Sequence, residues 1–131
     1  MTVVHGPAQT LRTDGPSWCQ LPSGGYFRMP KEGGDHDRHF HDFNELYLIC
    51  GGKAKILNAG LETYVKTGDI VCIRAGDEHD ILEIYGDEDL KLFWLYEPGP
   101  QDGTLGHLYN DSEADAWHAV PAKPVPPDFP A

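Results

Sequence analysis

Short apolar runs recur along the chain with Gly, Asp, Asn or Pro between them: Tyr26 to Met29, Glu45 to Cys50, Ala54 to Leu57, Ile70 to Ile73, Ile81 to Tyr85 and Leu90 to Tyr96. Runs this short, rich in Ile, Val, Tyr and Phe and bounded by turn residues, predict β-strands rather than helices. Between them, Gly51-Gly52, Asn58-Ala59-Gly60, Thr67-Gly68-Asp69, Ala75-Gly76-Asp77 and Gly86-Asp87 supply residues that tolerate positive φ. Hairpins spaced in this way predict an all-β sandwich or barrel. Leu46-Tyr47-Leu48-Ile49-Cys50 and Leu92-Phe93-Trp94-Leu95-Tyr96 are apolar at successive positions, which predicts strands covered on both faces.

The ends of the chain lack this pattern. Residues 1–20 are rich in Gly, Pro and Thr and predict an N-terminal arm, with Trp18 as its anchor. Residues 21–105 then form the barrel. Residues 106–131 form a Pro-rich C-terminal tail that is unable to supply a central strand, because proline lacks the N–H the ladder needs. Within it, Asp111 to His118 predicts one or two helical turns with Asp111 as N-cap.

Composition narrows the picture. At 131 residues the chain fits one domain, and 40% apolar residues suffice for a core. A net charge of -11, from 10 basic against 21 acidic residues, disfavours nucleic acid and anionic membrane surfaces as partners. No apolar stretch approaches the roughly 18 residues a membrane-spanning helix needs. The opening Met1 to Pro7 has neither a basic start nor an apolar segment, so the expected location is cytoplasmic. Cys19, Cys50 and Cys72 form no CxxC pair and are expected to be reduced packing thiols.

The chemistry concentrates in Gly33-Gly34-Asp35-His36-Asp37-Arg38-His39-Phe40-His41-Asp42-Phe43-Asn44-Glu45. In extended chain, alternate side chains share a face, so His39, His41, Phe43, Glu45, Tyr47 and Ile49 point inward together. A carboxylate buried in a barrel requires a charge partner or a metal, and imidazole with carboxylate suits Fe, Mn, Ni, Co or Zn. His36, between two aspartates, is expected to be a solvated loop residue, and His5, His107 and His118 receive no role.

The spacing resembles the first cupin motif, G(x)5HxH(x)3-4E(x)6G, with Gly33, His39, His41, Glu45 and Gly52 all in place. Gly68, Gly76 and His79 resemble the second motif, G(x)5PxG(x)2H(x)3N, in which Arg74 replaces the proline and Glu83 the asparagine. The resemblance covers about residues 33–83 and implies a single cupin (jelly-roll) β-barrel binding one divalent metal ion through His39, His41, Glu45 and His79.

Activities in such barrels include dioxygenases, isomerases, epimerases and lyases, and some members only sense ligands, so the fold does not select a reaction. The leading expectation is Lewis-acid and proton-transfer chemistry on a small polar oxygenated substrate, a sugar derivative or a hydroxy or keto acid. A non-haem iron dioxygenase is the nearest alternative, and a non-catalytic sensory module is a third. Glu45 and Tyr47 are the candidate catalytic residues. Arg28, Arg38, Lys55, Trp94 and Tyr96 are the candidate substrate-binding residues. A homodimer is expected, because strands apolar on both faces need covering and the arm has the length to reach a second barrel.

Overall fold

The protein, seen in a computed structural model, is described at residues 1–19, 23–97, 107–110 and 119–131. Among these residues, a single helical turn, α1 (Leu11–Asp14), is followed by ten strands. They are β1 (Ser23–Met29), β2 (Gly34–Asp35), β3 (Glu45–Gly51), β4 (Lys53–Asn58), β5 (Leu61–Lys66), β6 (Ile70–Ile73), β7 (His79–Tyr85), β8 (Leu90–Tyr96), β9 (Ala119–Val120) and β10 (Ala122–Lys123). The all-β expectation holds. The one long strand that the apolar runs do not mark is β5, whose Glu62, Thr63 and Lys66 break the run because it lies at a sheet edge. The turns predicted at Asp111 to His118 lie outside the described residues. No helix among the described residues is long and apolar enough to cross a membrane.

Two four-stranded sheets make the jelly-roll barrel, one in the order β1-β8-β3-β6 and one in the order β10-β7-β4-β5, with β2 and β9 as a short separate pair. The core between them holds Met29, Ile49, Ala54, Ile56, Ile84, Leu90 and Leu92. Alternation explains the selection: in β3, Glu45 and Ile49 are buried while Leu46, Leu48 and Cys50 are exposed. The motif glycines stand where the chain turns. Gly33 has a φ of +107°, and a Cβ there would meet the Val120 carbonyl oxygen at 2.3 Å. Gly52 has a φ of +81°, with the Asp89 carbonyl oxygen 2.5 Å from the place a Cβ would occupy.

Three expectations need correction. The covering on both faces expected of Leu46 to Cys50 and Leu92 to Tyr96 fails for the first: Leu46 and Leu48 are 39% and 42% exposed, whereas every residue from Leu92 to Tyr96 is buried or half-buried. Trp18 is 77% exposed and does not anchor the arm. The arm instead meets β1 through Gly6, against the Tyr26 side chain, and Leu11, against Gly24. Cys50 and Cys72 are free thiols, as expected, but they face outward and are exposed rather than packed.

The Pro-rich tail closes the fold. Val120 is buried in the main core, β9 pairs with β2, and β10 adds a parallel strand at the edge of the second sheet against β7. Edge placement agrees with the proline content, since one side of an edge strand needs no ladder.

Candidate metal centre

His39, His41 and Glu45 lead into β3, but the chain between them is not one continuous strand. His39 and Phe40 form isolated bridges, the chain bends at Asp42 and Phe43, and β3 begins at Glu45. Inward parity nevertheless persists from His39 to Ile49, with Asp42 and Asn44 exposed and their neighbours buried. The second segment is tied to the first by its backbone. His39 N–H donates to the His79 carbonyl at 3.2 Å and His79 N–H returns the bond at 2.9 Å. Gly76 N–H donates to the His41 carbonyl at 2.7 Å, so the turn before β7 is fastened to the same stretch.

As a result the four motif side chains meet in the barrel interior. His39, His41 and His79 each present a ring nitrogen within 4.8 Å of the others, and all three are buried. Glu45 Oε2 lies 3.0 Å from His41 Nε2 and 3.4 Å from His79 Nε2. His39 and His79 use Nδ1 on the carbonyls of Asp37 and Asp77, which leaves Nε2 of each as the free donor nitrogen of a ligand-type imidazole. Glu45 Oε2 and His79 Nε2 are sealed from solvent without a regular hydrogen bond among the described residues. Three imidazoles and one carboxylate, converging with buried atoms unsatisfied, are a donor set that fits a divalent transition metal.

Electrostatics agree with that assignment. Burial lowers the His39 pKa to about 4, with the imidazoles of His79 and His107 adding to the effect, so the ring is neutral and competent as a ligand at ordinary pH. Burial pushes Glu45 up, but the imidazoles of His41 and His79 outweigh it and hold the carboxyl below its usual range.

Around this cluster is a cavity of about 290 Å³, a size suited to a small ligand. Tyr47, Trp94 and Tyr96 line it together with Met29, Ile81 and Leu92. Burial, reinforced by the Glu45 charge, raises the Tyr47 pKa well above its ordinary value, so its hydroxyl keeps its proton. Tyr96 is raised for the same two reasons. Tyr96 also packs on His41 at 5.2 Å and on Phe43 at 4.5 Å between ring centroids.

The basic candidates fare differently. Arg28 and Lys55 are not brought to the cavity: Arg28 is paired to Asp89 at 2.9 Å, and Lys55 lies near Glu62 and Glu83, both on the outward side of their strands. Arg38 lies close by, with Nε 3.4 Å from Asp80 Oδ2.

Five residues escaped the sequence reading. His36, expected in solvent, places Nδ1 2.9 Å from Asp80 Oδ2, and Asp80 is itself buried in the cavity wall. Burial raises the Asp80 pKa against the opposing pull of His36 and Arg38. His107, given no role, stacks on His39 at 3.6 Å between centroids and pairs with Asp37, whose other oxygen accepts from the Tyr109 hydroxyl at 2.8 Å. A charged residue directly after a motif histidine was the available signal for Asp80. No local signal marks His107, because a long-range bridge between Phe40 and Leu108 brings it there.

Comparison with known proteins follows the same line. The family model for the cupin domain matches residues 25–96. A curated relative, the uncharacterized protein y4oW of Sinorhizobium fredii, is 29% identical over 80 residues, 61% of this chain and 36% of the relative. The chain thus matches little more than a third of that relative's length. A cupin protein from Bacteroides fragilis superposes with a TM-score of 0.58 at 19% identity, covering 84% of this chain and 95% of the other. The DMSP lyase DddQ from Ruegeria pomeroyi superposes with a TM-score of 0.57 at 23% identity, covering 70% of this chain and 44% of the other. At these identities the structural likeness is one of fold. With the motif glycines, the ligand-type side chains and the matched residues in agreement, the chain belongs to the cupin family.

Proposed function

We propose that this protein is a metal-dependent enzyme acting on a small polar oxygenated substrate, a sugar derivative or a hydroxy or keto acid, by isomerisation, epimerisation or a lyase reaction. The observation that carries this reading is the convergence of His39, His41, Glu45 and His79 beside one cavity that Tyr47, Trp94 and Tyr96 also line. Those four residues would hold the metal, and a divalent ion bound there supplies Lewis acidity that polarises a carbonyl or hydroxyl.

The chain supplies the rest. Tyr47 lines the cavity, and its protonated hydroxyl donates a hydrogen bond to a substrate oxygen. His107, held by Asp37 and lining the same cavity, is positioned to exchange a proton with the substrate through the ring nitrogen that Asp37 does not engage. Trp94 and Tyr96 exclude water and stack on the carbon skeleton. The lyase named among the structural relatives supports the breadth of this reading without choosing the substrate.

A second reading, non-haem iron dioxygenase, draws support from the donor set, which suits Fe(II) equally. An anaerobic assay separates the two, using sugars and hydroxy acids with Mn, Ni or Zn in the protein. Turnover without oxygen is expected. Conversion that consumes dioxygen and disappears when iron is removed would replace the first reading with the second. Tight binding without conversion under any metal would replace both with a binding module.

A further inference from the structure

Asp80 follows His79 in β7 but is not one of the four converging donors. In a regular strand successive side chains face opposite sides, yet His79, Asp80 and Ile81 all line the cavity. Just beyond them β7 carries a bulge: Lys55 faces Glu83 and Ile56 faces Ile81, so Leu82 is an extra residue. Bulges re-aim side chains and occur preferentially beside functional sites.

The Asp80 side chain is 2% exposed. Its Oδ2 takes His36 Nδ1 at 2.9 Å and Arg38 Nε at 3.4 Å. Its Oδ1 is buried and meets no hydrogen-bond partner among the described residues. A buried carboxylate oxygen left in that condition is costly to the fold, so it marks a place where a ligand can supply a donor. Arg38 already balances the charge, which favours a neutral hydroxyl over a cation as that donor.

We propose that Asp80, fixed by Arg38 and His36, is the substrate's second anchor and accepts a hydrogen bond from a substrate hydroxyl. The substrate class is then a small polyhydroxylated acid, with its carboxylate and the adjacent hydroxyl toward His39, His41, Glu45 and His79 and a further hydroxyl on Asp80. A compound with only the first oxygen group leaves Asp80 unsatisfied and binds weakly. This inference rests on the metal-site reading above.

The test uses full-length protein loaded with Mn(II), with metal content measured by element analysis and binding by titration calorimetry. The probes are lactate, glycerate and threonate, which carry one, two and three hydroxyls. Glycerate or threonate is expected to bind at least about tenfold tighter than lactate, the range of a hydrogen bond to a charged group. Asp80→Asn is expected to abolish the preference while leaving lactate affinity and bound Mn unchanged. Arg38 only donates, so the amide oxygen stays with Arg38 and the NH2 takes the place of Oδ1, replacing an acceptor with a donor. Where Asp80→Asn does not fold, Asp80→Ala withdraws the acceptor and carries the same expectation. Equal affinity for all three acids in the wild type, a preference that survives the substitution, or no binding with Mn retained would each overturn the proposal. Failure of the wild type to hold Mn overturns the metal reading itself, and this inference with it.

Discussion

His41 is buried with Nε2 3.0 Å from Glu45 Oε2, so its loss affects both the donor set and the carboxylate beside it. His41→Ala is expected to lower metal content by an order of magnitude or more, read by element analysis after dialysis, because one donor of four is gone and Glu45 is less compensated. His39 sets a pH dependence for the metal-stripped protein. Its pKa is about 4 when folded, against 6.5 ordinarily, so between those values the unfolded chain binds the extra proton. Stability therefore falls as pH drops from about 6.5 to 4, by at most roughly 1.4 kcal/mol per pH unit from this one group. Glu45, lowered when folded, acts in the same direction at still lower pH. Urea unfolding of chelator-treated protein across this range measures the slope, and a flat profile between pH 6.5 and 4 would contradict it.

Among the elements, β3 and β6 present an outer surface that nothing in the described chain covers. Leu46 and Leu48 stand there beside Cys72 and Ile70, their partners in the β3–β6 ladder, and Ile70 is 62% exposed. The sheet order leaves β6 at an edge, where an apolar strand invites another chain. A second copy of this chain laid on that face would bury these side chains against their equivalents. Light scattering is expected to give the mass of a dimer at micromolar concentration, and Leu48→Lys to shift it toward monomer. A wild-type monomer would show that the face is tolerated in water.

At the scale of the molecule, the tail holds the barrel rather than trailing from it. Val120 fills the core, β10 extends the second sheet, and Phe129 packs on Tyr64 at 5.0 Å and on Tyr85 at 5.9 Å between ring centroids. Val120→Ala is expected to lower Tm by about 5–10 °C, following the cost of an unfilled core position in a chain of this size. Deleting residues 119–131 is expected to cost more and to remove cooperative melting, since it also exposes the edge of β7. Differential scanning calorimetry reads both, and a truncated chain melting like the intact one would show the tail to be dispensable.

The chain's own pattern determined the strands β1, β3, β4, β6, β7 and β8 and the spacing of His39, His41, Glu45 and His79, because period-two alternation and ligand offsets are local properties that survive any packing. It also placed Tyr47, Trp94 and Tyr96 on the inward face by the same parity. Tertiary structure alone decided that His107 and Tyr109 reach Asp37, that His36 and Arg38 converge on Asp80, and that Arg28 and Lys55 pair with acids away from the cavity. Those contacts join residues dozens of positions apart, and neither periodicity nor composition carries information about how distant segments meet.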